Sequence, residues 1–151
     1  MAKIFEDYFS EYQADMVSIC LEYVNDRADM IYIYCCREGH STAGDFFFKI
    51  AGKILEKHQL NDVKSADSFK YDISDERQYG ATNIIIEDIE KIKDLCNKYG
   101  KDMPTEMKLV YDVKKNSLEA KYSYENKWSE SETKLPEDIF TEWIEEIRNM
   151  Q

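Results

Sequence analysis

Four cysteines, two histidines and 31 acidic residues are the side chains from which this 151-residue chain could assemble a reactive centre. A zinc site needs Cys or His at ligand spacing, and only Cys35, Cys36, His40 and His58 come near one. If residues 30–36 form a strand, Cys35 and Cys36 point to opposite faces and cannot converge on one ion without a bulge. No metal is therefore expected. Catalysis by a nucleophile or general base has equally little to work with. There is no Gly-rich phosphate loop, no Gly-x-Ser-x-Gly elbow and no His-Glu-x-x-His helix. The carboxylates are abundant, but they fall in helix faces and loops that read as solvated. The chain is expected to lack a catalytic centre of its own.

The acids carry a different kind of information through their placement. The net charge of −11 is concentrated at the two ends. Residues 1–26 hold six acids against Lys3, and residues 125–151 hold eight against Lys127, Lys134 and Arg148, while the stretch between them is almost neutral. Such a surface repels phosphate backbones, so direct nucleic-acid binding is not expected, and it attracts a basic protein. At ~100° per helical residue, Asp7, Glu11, Asp15 and Glu22 line one flank of an N-terminal helix. By the same geometry Asp138, Glu142 and Glu145 lie together, opposite Ile139, Trp143 and Ile147 on a C-terminal helix. Both stripes are expected to face solvent and to be partner-binding candidates, with solubility alone as the alternative purpose. Tyr32, Tyr34 and Phe47 sit at alternate strand positions and could share an open sheet face. Without a basic surface such aromatics suit a protein contact better than stacking on bases, which makes Tyr32 and Tyr34 secondary contact candidates.

The elements that must position these side chains follow from periodicity. Hydrophobic residues at 43% and charged residues at 34%, with five Gly and two Pro, describe a globular chain, expected to form one domain over 1–151. Phe5, Tyr8, Phe9, Tyr12, Met16, Ile19, Cys20 and Tyr23 recur at helical spacing, predicting a helix over 3–24. Met30 to Cys36 and Asp45 to Ile50 predict a hairpin, with a third strand from Lys53 after the Ala51-Gly52 turn. Residues 61–80 read as a long polar connection. Ile84-Ile85-Ile86 looks strand-like, and Glu87-Asp88 suggests a helix start that runs to Gly100. Glu106 to Lys114 and Ser117 to Glu125 predict a second hairpin around Lys115-Asn116, and Pro136 opens a last helix. The expected fold is α+β, order α-β-β-β-α-β-β-α, an antiparallel sheet of about five strands with the helices packed on one face. No apolar run reaches the ~18–20 residues of a membrane span. The acidic N-terminus is unlike a signal peptide and no disulfide framework is visible, so a cytoplasmic, non-membrane location is expected.

The stretch Asp102-Met103-Pro104-Thr105-Glu106-Met107-Lys108-Leu109-Val110-Tyr111-Asp112-Val113, followed by Asn116-Ser117-Leu118-Glu119-Ala120-Lys121-Tyr122, strongly resembles the YezG-like immunity proteins. Tyr12-Gln13-Ala14-Asp15-Met16, Ile31-Tyr32-Ile33-Tyr34, Asp72-Ile73-Ser74-Asp75-Glu76-Arg77-Gln78, Glu87-Asp88-Ile89-Glu90-Lys91-Ile92 and Leu135-Pro136-Glu137-Asp138-Ile139-Phe140 with Trp143 are similar in the same order. The pattern fits less well over Cys36 to Gly44 and Val63 to Phe69. The resemblance implies an antitoxin that binds and blocks the toxic C-terminal domain of a polymorphic or contact-delivered bacterial toxin, often a nuclease, inside the producing cell, without a cofactor. Asp75 and Glu76, within one of these stretches, join the candidate binding residues. The alternative from a different class is an acidic regulatory or scaffolding module that binds another basic protein.

Overall fold

A computed structural model describes residues 3–62 and 69–151. Three helices and five strands follow one another as α1 (Phe5–Tyr23), β1 (Met30–Glu38), β2 (Ser41–Ile50), β3 (Lys53–Glu56), α2 (Asp75–Lys98), β4 (Glu106–Asp112), β5 (Ser117–Ser123) and α3 (Pro136–Asn149). The strands form a single antiparallel sheet of order β3-β2-β1-β4-β5, so the expected α+β class and element order hold. The turns explain the register. Gly39 at φ 61° allows a two-residue connection between β1 and β2, pairing Glu38 with Ser41. Ala51 and Gly52, both at positive φ, do the same between β2 and β3.

The helices do not gather on one face. Ile31, Ile33 and Cys35 of β1, with Phe46 and Phe48 of β2, pack against Met16, Val17 and Cys20 of α1 and Ile85, Ile89 and Ile92 of α2. The intervening residues Tyr32, Tyr34, Cys36 and Phe47 pack on the other side against Ile139, Phe140, Trp143 and Ile144 of α3. The physical reason lies in the strand itself. Met30 to Cys36 is a continuous apolar run, and such a strand needs cover on both faces, whereas a half-exposed one alternates. Phe46-Phe47-Phe48 makes the same demand, and all three rings are fully buried.

The second correction concerns α2. It begins at Asp75, twelve residues before the expected start at Glu87, and absorbs both Ile84-Ile85-Ile86 and the last part of the expected 61–80 connection. Ser74 caps it, its Oγ accepting from the Arg77 N–H at 3.3 Å, with Asp75 and Glu76 in the first turn where the helix dipole favours negative charge. β-Branched residues lower helix propensity only slightly, and burying Ile85, Ile89 and Ile92 along one stripe outweighs it. Residues 63–68, which include most of the Val63 to Phe69 stretch, lie outside the described residues.

α1 and α2 run antiparallel. At one end the Phe5 and Tyr99 rings meet edge-on at 5.7 Å, and at the other Arg77 donates to the Glu22 carbonyl at 2.8 Å and lies over the Tyr23 ring. α2 sits closely on β2 at Gly44, where a Cβ would come within 2.7 Å of Ile85 Cγ2. Arg37 at the end of β1 is buried and pairs with Glu90 of α2, which also accepts from the Thr42 hydroxyl.

Candidate functional site

The acidic candidates are exposed throughout, but the fold divides them into separate places. Asp7, Glu11 and Asp15 lie on α1 and Asp75 and Glu76 at the far end of the same layer, whereas Asp138, Glu142 and Glu145 lie on α3 across the sheet. The two terminal stripes therefore cannot form one patch.

Several of these acids also have local work. The Ile4 N–H donates to Asp7 Oδ2 at 3.0 Å and the Leu135 N–H donates to Asp138 Oδ2 at 2.8 Å, so each aspartate closes the first turn of its helix. Glu11 is paired with Lys3 at 2.6 Å, Glu142 with Lys134 at 2.7 Å and Glu145 with Arg148 at 3.0 Å. These exposed pairs are screened by water, contribute little to folding and leave carboxylate oxygens facing solvent. The outer face of α3 is mostly acidic: Glu137, Asp138, Glu142, Glu145 and Glu146 are all exposed, with Thr141 and Asn149, while Ile139, Phe140, Trp143 and Ile144 hold the helix to the sheet. Arg148 fixes its C-terminal end, reaching the Ile54 carbonyl at 3.4 Å and Gln59 Oε1 at 3.2 Å. The result is a helix held firmly to the sheet whose outward charge is predominantly negative, five acids against Arg148 on the helix and Lys134 just before it.

Tyr32 and Tyr34 are not an open surface. They are buried beneath α3, Tyr32 stacked on Phe47 at 4.5 Å and edge-on to Trp143 at 5.9 Å, and the Tyr34 hydroxyl donates to the buried Glu106 at 3.1 Å. Burial, with the nearby Cys36 and Glu106, pushes the Tyr34 hydroxyl far above its ordinary value. The expected contact face is the floor of the second core.

The cysteines take the opposite faces expected of β1, Cys35 toward α1 and α2, Cys36 toward α3. All four thiols are free and buried, and burial pushes each upward, Cys36 to about 11, which suppresses the reactive thiolate. His40 and His58 are exposed on separate loops. Among the described residues no group of three or more His, Cys, Asp or Glu could hold a metal ion, and no helix is long and apolar enough to cross a membrane. An open cleft of about 490 Å³ is lined by the aromatic rings of Phe5, Phe9, Tyr122 and Tyr124, with Pro104, Cys96, Lys101 and Asp102.

Two carboxyls that the sequence reading passed over do more structural work than the stripes. Glu38, buried at the end of β1, accepts from the backbone N–H groups of Lys127, Trp128 and Ser129 and from the Ser129 hydroxyl at 2.6 Å. Burial alone would raise it, but these hydrogen bonds prevail and hold it below its ordinary value. It thereby anchors the segment that leads into α3. Asp88 of α2 is 1% exposed, and its Oδ2 has no partner. Burial first, then the hydrogen bond and charge of Asp15 on α1, push it up to about 8 against the opposing pull of Lys91. The helical reading of residues 81–96 would have revealed it, because Asp88 falls on the stripe of Ala81, Ile85, Ile89 and Ile92.

Neither the protein-family models nor the curated proteins contain a match to this chain.

Proposed function

We propose that this chain is a cytoplasmic immunity protein that neutralises a basic toxin domain, a nuclease being the best fit, by protein–protein binding rather than by catalysis. The observation that carries the reading is the outer face of α3, five exposed acids on a helix locked to the sheet by four buried residues. A nuclease must present a basic groove to phosphates, and a rigid acidic surface both attracts such a groove and covers it. The family resemblance of residues 102–122 and the five stretches that accompany it supports the same reading. The α1 acids support it less, because they are spread from Glu6 to Glu22 whereas those of α3 fall between Glu137 and Glu146; the local ties are alike, Glu11 pairing with Lys3 and Asp7 capping α1 as Glu142 pairs with Lys134 and Asp138 caps α3.

The test is a titration of the toxin domain encoded beside this chain, followed by its catalytic activity. A reading of neutralisation expects activity to fall to zero at a fixed stoichiometry. Tight binding that leaves full toxin activity would instead support the acidic scaffolding alternative, and absence of binding would end both for that partner.

A further inference from the structure

The two edges of the sheet are treated differently. β3 has four residues, two of them buried, whereas β5 has seven and exposes most of its side chains, including Leu118 at 37% and Tyr122 at 42%. Among the described residues β5 pairs only with β4, leaving its outer backbone groups as a template for another strand. Among the described residues neither Glu119 nor Lys121 has an ion-pair partner. Across the hairpin Glu119 faces Val110, and Lys121 faces Lys108, a like-charged pair that destabilises the ladder.

We infer that β5 pairs antiparallel with β5 of a second copy about a two-fold axis at Ala120, joining two sheets into one of ten strands. The sequence Ser117-Leu118-Glu119-Ala120-Lys121-Tyr122-Ser123 is chemically palindromic about that residue. In this register Glu119 meets the partner's Lys121 and Lys121 the partner's Glu119. Leu118 meets the partner's Tyr122, and Ser117 the partner's Ser123. Every contact occurs twice, as an isologous interface requires. The register is specified against its neighbours. A one-residue slip would oppose polar and apolar faces, and a two-residue slip either way sets Glu119 against itself or Lys121 against itself.

The surroundings of the strand fit the same partner. Leu118, Ala120 and Tyr122 point to the α1 side, where Gln13 donates to the Tyr122 hydroxyl at 2.8 Å and holds the ring. Beside Leu118 an open cleft of about 530 Å³ is walled by Ser10, Ala14 and Ser18 of α1. The symmetry places the cleft of each copy beside the aromatic end of the other, so the partner's Tyr122 meets Leu118 while remaining held by Gln13 of its own chain.

Sedimentation across a wide concentration range tests this on the full chain. The wild type is expected to shift from monomer to dimer, and Glu119→Lys and Lys121→Glu are each expected to weaken dimerisation at least tenfold. Mixing the two variants in equal amounts should restore it, because all four charges then face opposites, as should the double swap within one chain. Both substitutions are on exposed positions, and circular dichroism on each confirms folding independently. A wild type that stays monomeric throughout, single variants that dimerise as tightly as the wild type, or a mixture that remains monomeric would each overturn the inference.

Discussion

Replacing Asp88 with Asn should make the protein more stable, and only where the carboxylate would otherwise ionise on unfolding. Asp88 is held protonated in the fold, up to about 8 from an ordinary value of 3.8, by burial and by Asp15. A group raised in this way contributes stability that is fully present below 3.8 and is lost as pH rises toward 8, because the unfolded chain releases the proton first. A full shift of that size would correspond to on the order of 5 kcal/mol. Asp15 is exposed, and solvent screening on its side of the pair reduces the expected figure to about 2 kcal/mol. Asn keeps the shape and can still donate to Asp15, but cannot ionise. For a chain of this length about 2 kcal/mol corresponds to a rise in Tm of roughly 4–8 °C. Thermal unfolding of Asp88→Asn and wild type should show that rise at pH 8.5 and a several-fold smaller one at pH 5. A variant less stable than wild type at pH 8.5, or a difference of equal size at both pH values, would refute the reasoning.

Three further outcomes follow from the packing. Glu38→Gln exchanges a carboxylate that accepts four hydrogen bonds for an amide that cannot accept them all, and should cost about 1–3 kcal/mol in denaturant unfolding. Because Glu38 is held below its ordinary value of 4.5, wild-type stability from this group is present above pH 4.5 and falls as the solution is acidified, a loss the variant should not show. Gly44→Ala should destabilise by about 1–3 kcal/mol, since its methyl would drive into Ile85 on a helix already pressed to the sheet. Trp143→Ala should cost about 3–5 kcal/mol and uncover Tyr32 and Phe47, measurable as increased dye binding to apolar surface.

What the sequence disclosed and what it hid have a common cause. α1, the β4–β5 hairpin and α3 were legible because each has a single buried face, so apolar residues recur at one spacing, and the first hairpin was legible from its turns and its unbroken apolar runs. Where an element is buried on more than one side that contrast disappears. β1 showed its double burial as an unbroken run, Ile31 to Cys36, yet an expectation of one covered face left Tyr32 and Tyr34 open. In α2 the run Ile84-Ile85-Ile86 imitated a strand, since three β-branched residues in a row carry no helical period of their own, and the Ser74-Asp75-Glu76 start went unread. The candidate acids were correctly placed on exposed faces, but no local pattern tells that α1 and α3 lie on opposite sides of the sheet. The short-range reach of Asp7 and Asp138 to their helix starts was legible in principle, each standing three residues after the cap.

The central claim is that the acid face of α3 recruits a basic toxin, and the most direct test is the association rate with the toxin domain at low salt. Reversal is best made at Glu142, Glu145 and Glu146, leaving Asp138 to cap the helix, because these exposed positions contribute little to folding. Electrostatic steering predicts that Glu142→Lys, Glu145→Lys and Glu146→Lys together slow association roughly tenfold and flatten its dependence on salt. The same number of reversals at Glu6, Glu11 and Glu22, which leave Asp15 beside Asp88 undisturbed, should change the rate far less. A triple α3 variant that associates as fast as the wild type, with the same salt dependence, would contradict the account.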